Sequence, residues 1–146
     1  MERDESSGPL DSFRSYPQAF QSLDANAAAR HFHEPALLIT PFEVRALRTI
    51  AEVEQAYARI MADLPAQGYA GTEFSTLDAR HLSDDLAVVT GTGVWKRATG
   101  EEFAPFGMTY TLRRAGGAWR IVVAAIYPQD TQIGRVRPGT RVIDGR

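Results

Sequence analysis

A chain of 146 residues, 44% hydrophobic and 23% charged, has the composition of one globular domain, large enough to bury about two-thirds of its unfolded surface. A net charge of −2 supplies no basic field for nucleic acid or anionic membrane. The lack of cysteine excludes disulfides, thiolate nucleophiles and cysteine-ligated metals. Met1-Glu2-Arg3-Asp4-Glu5 holds no apolar signal core, and no apolar run is long enough to span a bilayer, so a cytoplasmic protein without nucleic-acid or membrane partners is expected.

Residues 1–12 are polar, include Ser6-Ser7-Gly8-Pro9, and are expected to form a disordered N-terminus. One domain is expected over residues 13–128, followed by a tail, 129–146, that carries Arg135, Arg137, Arg141 and Arg146. Those arginines read as a solvated tail, or as an arm for a partner. Phe13, Tyr16, Phe20, Leu23 and Ala27 recur at three- and four-residue spacing, the mark of one helix face. Ser15 and Gln18 have capping-box spacing and predict a regular helix from near Tyr16, with Pro17 tolerated in its first turn. Asp24 predicts the cap of a second short helix running through Phe32. Ala36–Thr40 is a short apolar strand between two prolines, and Val44–Arg48 is its expected partner across Pro41-Phe42-Glu43. Thr49 and Glu52 form a second capping box. Ile50, Val53, Tyr57, Ile60, Met61 and Leu64 then make the clearest helical stripe of the chain, stopped by Pro65 and Gly68.

The rest reads as strands. Thr72–Leu82 alternates poorly, which predicts a bulge. Leu86–Arg97 is bounded by Ser83-Asp84-Asp85 and Ala98-Thr99-Gly100. In Phe103–Arg114, Met108, Tyr110 and Leu112 alternate with Thr109, Thr111 and Arg113, an apolar face opposed to a polar one. Ala115-Gly116-Gly117 predicts a tight turn. Trp119, Ile121, Val123, Ala125 and Tyr127 are expected on the inner face of the last strand, which Pro128 ends. Gly91 and Gly93 share the inward parity of Val89 and Trp95, which suits bending and open space inside. The expected fold is α+β, a cone-shaped curved antiparallel sheet wrapped around N-terminal helices.

At this point the chain resembles the nuclear-transport-factor-2-like superfamily, which includes ketosteroid isomerase, scytalone dehydratase, limonene epoxide hydrolase and SnoaL-like polyketide cyclases. The resemblance rests on AFQSLDANAAARHFHEPALLITPF, on the helix after Thr49 and on GMTYTLRRAGGAWRIVVAAIYP, and it runs from Phe13 to Pro128. It implies the cystatin-like fold. With Asp24 and Phe32 as anchors, Tyr16 falls where the isomerase keeps its oxyanion tyrosine, Thr40 where it keeps its base, and Met108 near its protonated aspartic acid. Threonine does not abstract a carbon-bound proton at neutral pH and methionine donates no hydrogen bond, so the isomerase mechanism is not expected here. Neither is the paired Asp and Arg of an epoxide hydrolase evident. The resemblance also implies a homodimer through the outer sheet face, for which Val88, Val94, Val122, Ala124 and Ile126 are the expected contacts.

The candidate residues each have a plainer reading. His31-Phe32-His33-Glu34 has the spacing of a metal pair on a strand, but His31 at a helix end would point away from His33, and neither a metal nor a cofactor is expected. His33 alone reads as a general base or as a structural histidine bonded to backbone. Tyr16 or Tyr110 reads as a hydrogen-bond donor to a carbonyl oxygen of the bound molecule. Trp95, Tyr110, Trp119 and Tyr127 share the inward parity and read as core packing or as the lining of a small-molecule site. The expected pocket is Phe20, Thr40, Tyr57, Trp95, Met108, Tyr110 and Tyr127. Thr90-Gly91-Thr92-Gly93 lacks the helix that a phosphate-binding loop requires. His81 and Asp84-Asp85 read as solvent-facing, and no Ser-His-Asp pattern stands out. Two functions follow: an aromatic pocket for a small apolar molecule with cofactor-free acid–base chemistry, or a non-catalytic dimeric association module.

Overall fold

The computed structural model of the chain describes residues 8–129. Arg135, Arg137, Arg141 and Arg146 therefore lie outside the described residues. The first helix, α1 (Pro9–Gln21), starts earlier than the Ser15–Gln18 spacing predicts. Ser15 does not cap: its hydroxyl donates to the Ser12 carbonyl at 3.2 Å. Pro17 sits inside the helix and removes one backbone donor. The helix continues past it because Phe13, Tyr16 and Phe20 are all buried on one face, so tertiary packing outweighs the local break.

Asp24 caps α2 (Ala25–Ala29) by accepting from the Ala27 N–H at 3.0 Å, and the helix stops before Phe32, shorter than expected. In α3 (Ile50–Asp63) Thr49 caps as its spacing predicts, whereas Glu52 reaches one residue past the cap. Thr49 Oγ1 accepts from the Glu52 N–H at 3.2 Å, and Glu52 reaches back to the Arg48 N–H at 2.8 Å. Val53, Ala56, Tyr57 and Met61 are buried along it. A turn of 3-10 helix at Pro65–Gln67 follows, closed by Gly68 at φ 92. No helix among the described residues is long and apolar enough to cross a membrane.

The strands are β1 (Phe32–Ile39), β2 (Val44–Leu47), β3 (Gly71–Ser83), β4 (Leu86–Lys96), β5 (Glu102–Ala115) and β6 (Ala118–Pro128). They form one curved, unclosed sheet in the order β2-β1-β6-β5-β4-β3. The expected all-antiparallel sheet needs one correction: β1 and β6 are parallel. They are joined through a helix and intervening strands, not a hairpin, so nothing forces a reversal of direction. The expected bulge of β3 is present, with register shifts at Phe74–Thr76 and at His81–Ser83. Gly116 and Gly117 take φ of 63 and 83, the left-handed pair that a two-residue hairpin turn demands.

A second bulge changes the reading of β6. The register against β5 shifts between Thr111 and Leu112, with Val122 as the extra residue. Trp119 and Ile121 face inward as expected, opposite Arg114 and Leu112. Beyond Val122 the parity reverses, because one inserted residue sends every later side chain to the other face. Ala124, 0% exposed, and Ile126 point into the core, opposite Tyr110 and Met108. Val123, Ala125 and Tyr127 point outward. The expected outer-face roles of Ala124 and Ile126, and the inner-face roles of Val123, Ala125 and Tyr127, are corrected accordingly. Val88 and Val94 lie on the convex parity, as expected.

Gly91 and Gly93 face the interior, but their side of the sheet is not open. A Cβ on Gly93 would lie 2.7 Å from the Glu73 carbonyl and 2.9 Å from the Phe106 ring. A Cβ on Gly91 would lie 2.9 Å from the Thr76 carbonyl and 3.3 Å from Met108. The glycines admit the bulged backbone of β3 and the large side chains of β5. Gly93→Val is therefore expected to cost about 1–3 kcal/mol through overpacking, read as a lower urea midpoint at unchanged slope.

Candidate functional site

Three tyrosines meet at the centre of the cone. Tyr16 comes from α1, Tyr57 from α3 and Tyr110 from β5, and they are 4%, 1% and 1% exposed. The Tyr16 hydroxyl donates to the Tyr57 oxygen at 2.8 Å and lies 3.3 Å from the Tyr110 oxygen. Each phenol has one proton, so if Tyr16 donates to Tyr57, Tyr110 donates to Tyr16. Burial is the first cause of their raised pKa values. Tyr57 is pushed up to about 12, and Tyr16 and Tyr110 are held well above the usual phenol range. Neighbouring phenols add to the rise at Tyr16. All three are neutral hydroxyls at physiological pH. Aromatic edges fix them: Phe13 meets Tyr110 at 90° with centroids 5.3 Å apart, and Phe20 meets Tyr57 at 90° and 6.2 Å.

Two hollows flank this cluster. The inner one is a cavity of about 40 Å³ bordered by Tyr16, Tyr110, Met108 and Phe13, room for a water or two. The outer one is a groove of about 780 Å³ whose floor is Phe20, Tyr57, Trp95, Phe106 and Ile126. Phe20, Trp95, Phe106 and Ile126 border both, so the two hollows share a wall. Of the expected pocket residues, Phe20, Thr40, Tyr57, Trp95 and Tyr127 border the groove, and Phe20, Trp95, Met108 and Tyr110 border the cavity. Tyr127 reaches the rim from the convex side. Its ring lies against Gly107 and its hydroxyl is 3.1 Å from Thr109 Oγ1. Trp119 is at the other end of the sheet, with its ring 5.6 Å from that of His81. Thr40 shapes the turn before β2, where its Oγ1 accepts from the Phe42 and Glu43 N–H groups, both at 3.3 Å.

His33 lies elsewhere. It borders neither hollow. Its Nδ1 is 3.0 Å from the Pro35 carbonyl and its Nε2 is 3.0 Å from Arg113 Nη1. A guanidinium only donates, so Nε2 accepts and Nδ1–H donates to the carbonyl. This is the backbone-bonded histidine of the plainer reading. His31 makes separate contacts, with Nδ1–H donating to the Ala27 carbonyl at 3.0 Å and Nε2 at 3.1 Å from Ser15 Oγ. Among the described residues no group of three His, Cys, Asp or Glu side chains is placed to hold a metal.

Burial lowers the pKa of His31, and its backbone bonds to Ala27 and Ala28 oppose that shift only in part. The folded protein thus holds less proton at His31 than the unfolded chain does. Stability from this group is present above the unfolded value of about 6.5 and falls as pH drops below it. His31→Gln is expected to flatten that acid-side decline, measured by urea unfolding on both sides of about pH 6.5.

Phe106, Arg45 and Arg59 border the groove without having been singled out in the sequence, and Ile126, expected on the outer sheet face, borders it as well. Ile126 was hidden by the bulge at Val122. Arg45 and Arg59 look like ordinary solvated charges until β2 and α3 are brought to one mouth.

Solved structures of similar shape share the fold alone, since their sequences are far apart. A domain of unknown function with a cystatin-like fold from Nostoc punctiforme aligns with TM-score 0.71 at 16% identity, covering 92% of this chain and 83% of that one. An NTF2-like protein with a cystatin-like fold from Novosphingobium aromaticivorans aligns with TM-score 0.68 at 17% identity, covering 84% and 80%. A ketosteroid isomerase-like protein from Erwinia carotovora atroseptica aligns with TM-score 0.63 at 18% identity, covering 88% and 99%. No curated protein matches the chain. The order of helices and strands, the curved sheet and a family model that matches residues 10–129 agree, and the chain belongs to the family described as NTF2-like protein (DUF6841).

Proposed function

We propose that this NTF2-like protein binds a small, mostly apolar molecule in the groove above the tyrosine cluster. The observation that carries the reading is the floor itself: five apolar or aromatic side chains backed by three buried, neutral hydroxyls. Apolar walls with a few convergent polar groups are the usual form of a small-molecule site, and the groove is of the usual size. Binding, not acid–base turnover, fits the residues. A base must have a pKa near the working pH and lie within reach of its proton. The buried phenols hold their protons too tightly, His33 faces Arg113, and Glu43, the one carboxylate at the groove among the described residues, pairs with Arg45 at 2.8 Å.

A thermal-shift screen of the full chain against steroids, polyketide-like phenols and fatty acids tests this. Ligand at about 100 times its Kd adds roughly 2.7 kcal/mol, a rise of roughly 5–10 °C in Tm. The rise is expected for one class and should vanish in Trp95→Ala. Uniform silence across all classes would remove the reading.

A second reading concerns partners and is compatible with the first. The convex face is apolar around β1 and β6. Leu37 pairs with Val123, Ile39 pairs with Ala125, and Val44 pairs with Ile39, so these side chains adjoin. Val44 is 64% exposed and Tyr127 is 41% exposed. A face of this kind favours a two-fold homodimer with sheets packed back to back.

A further inference from the structure

The mouth of the groove is charged where its floor is not. Arg59 stands on the exposed side of α3 and Arg45 on β2, and both border the groove with Glu43. Arg45 Nη2 lies 2.8 Å from the Glu43 carboxylate, and that pair cancels. Arg59 has no hydrogen bond or ion pair among the described residues. Among the described residues the rim therefore carries one net positive charge over an apolar wall. Low-dielectric walls focus such a field, so an anion gains more there than at an open surface. The floor imposes the opposite rule. A charged group among Phe20, Trp95, Phe106 and Ile126 would be buried without a partner. A ligand that satisfies both regions has its apolar body inward and its charge outward.

We propose that the groove takes a small amphipathic carboxylate, with its ring or chain against Phe20, Trp95, Phe106 and Ile126 and its carboxylate at the rim with Arg59. The proposal rests on the small-molecule reading above and narrows it. A single planar carboxylate matches both the fork of a guanidinium and the single net charge. A dianionic phosphate would set its second charge against Glu43. An ammonium group would meet two guanidiniums.

Calorimetric titration of the full chain with naphthoate, naphthalenemethanol and naphthylmethylammonium holds the apolar body constant and changes only the charge. Naphthoate is expected to bind roughly three- to tenfold more tightly than the alcohol, and the ammonium most weakly. The advantage of naphthoate should shrink in high salt. It should disappear in Arg59→Gln, in which naphthoate and the alcohol are expected to bind alike. Arg59 is exposed, so its replacement leaves the core intact. Equal affinity for alcohol and carboxylate, tighter binding of the ammonium, or an advantage that survives in Arg59→Gln overturns the carboxylate assignment and leaves the groove standing. Failure of all three probes to bind overturns both the groove and the carboxylate.

Discussion

Val123→Asp is expected to turn a dimer into a folded monomer. Light scattering of the wild type at micromolar concentration should give about twice the 16.1 kDa chain mass, and the variant should give the chain mass itself. Val123 lies on the convex face, paired with Leu37 on one side and Thr111 on the other, where two sheets would meet back to back. Each fully covered aliphatic side chain contributes roughly 1.5–3 kcal/mol, and the patch offers several. An aspartate there would be buried without a partner and, across a two-fold axis, close to its own copy. The fold should persist, because the side chain points away from the core. Ile126→Asp makes the contrast. Ile126 borders the cavity and the groove and packs on the core, so an aspartate there should lower stability steeply and not merely dissociate subunits. A wild-type monomer under these conditions would sink the dimer.

Tyr110→Ala is expected to destabilise the protein by about 3–5 kcal/mol, the range for removing a large buried ring. Tyr110 is 1% exposed and packs against Phe13 and Tyr16. Tyr110→Phe keeps the ring and should cost less, roughly 1–3 kcal/mol, because the Tyr16 hydroxyl loses a buried partner. The same cluster sets an alkaline limit. Its folded pKa values are raised, so above the unfolded phenol value of about 10 the native state keeps protons that the unfolded chain releases. Stability contributed by the neutral cluster is thus present below about pH 10 and is lost as pH rises beyond it. Tyrosinate absorbance from Tyr16, Tyr57 and Tyr110 should emerge with unfolding, not before it. Early ionisation of most of the five tyrosines in the folded protein would contradict the burial.

Local chemistry was legible in this sequence. Asp24 and Thr49 cap helices as their side chains predict, and the glycine pair at 116–117 makes its turn. The poor alternation of β3 does mark a bulge. What failed depended on distant packing. Ile121-Val122-Val123-Ala124-Ala125-Ile126 is apolar at every position, so its sequence carries no parity, and only the register against β5 shows where the extra residue sits. The start of α1 follows the burial of Phe13 and Tyr16, not the Ser15 capping spacing. His33 has a residue type suited to acid–base work, but β1 turns it toward Arg113, away from both hollows. Phe20, Tyr57, Trp95 and Tyr110 do come together, since they stand on elements whose core faces are unambiguous. Rim charges such as Arg59 have no signal of their own; the fold gives them their neighbours.

Chemical-shift mapping with naphthalenemethanol on nitrogen-labelled protein tests the groove most directly. This neutral probe reports the apolar floor apart from any charge at the rim. Perturbations are expected at the Trp95 indole N–H and at the amides of Phe20, Phe106 and Ile126, with His33 and Arg113 unmoved. Shifts confined to the convex face around Thr109 and Val123, or none at saturating probe, would contradict the account.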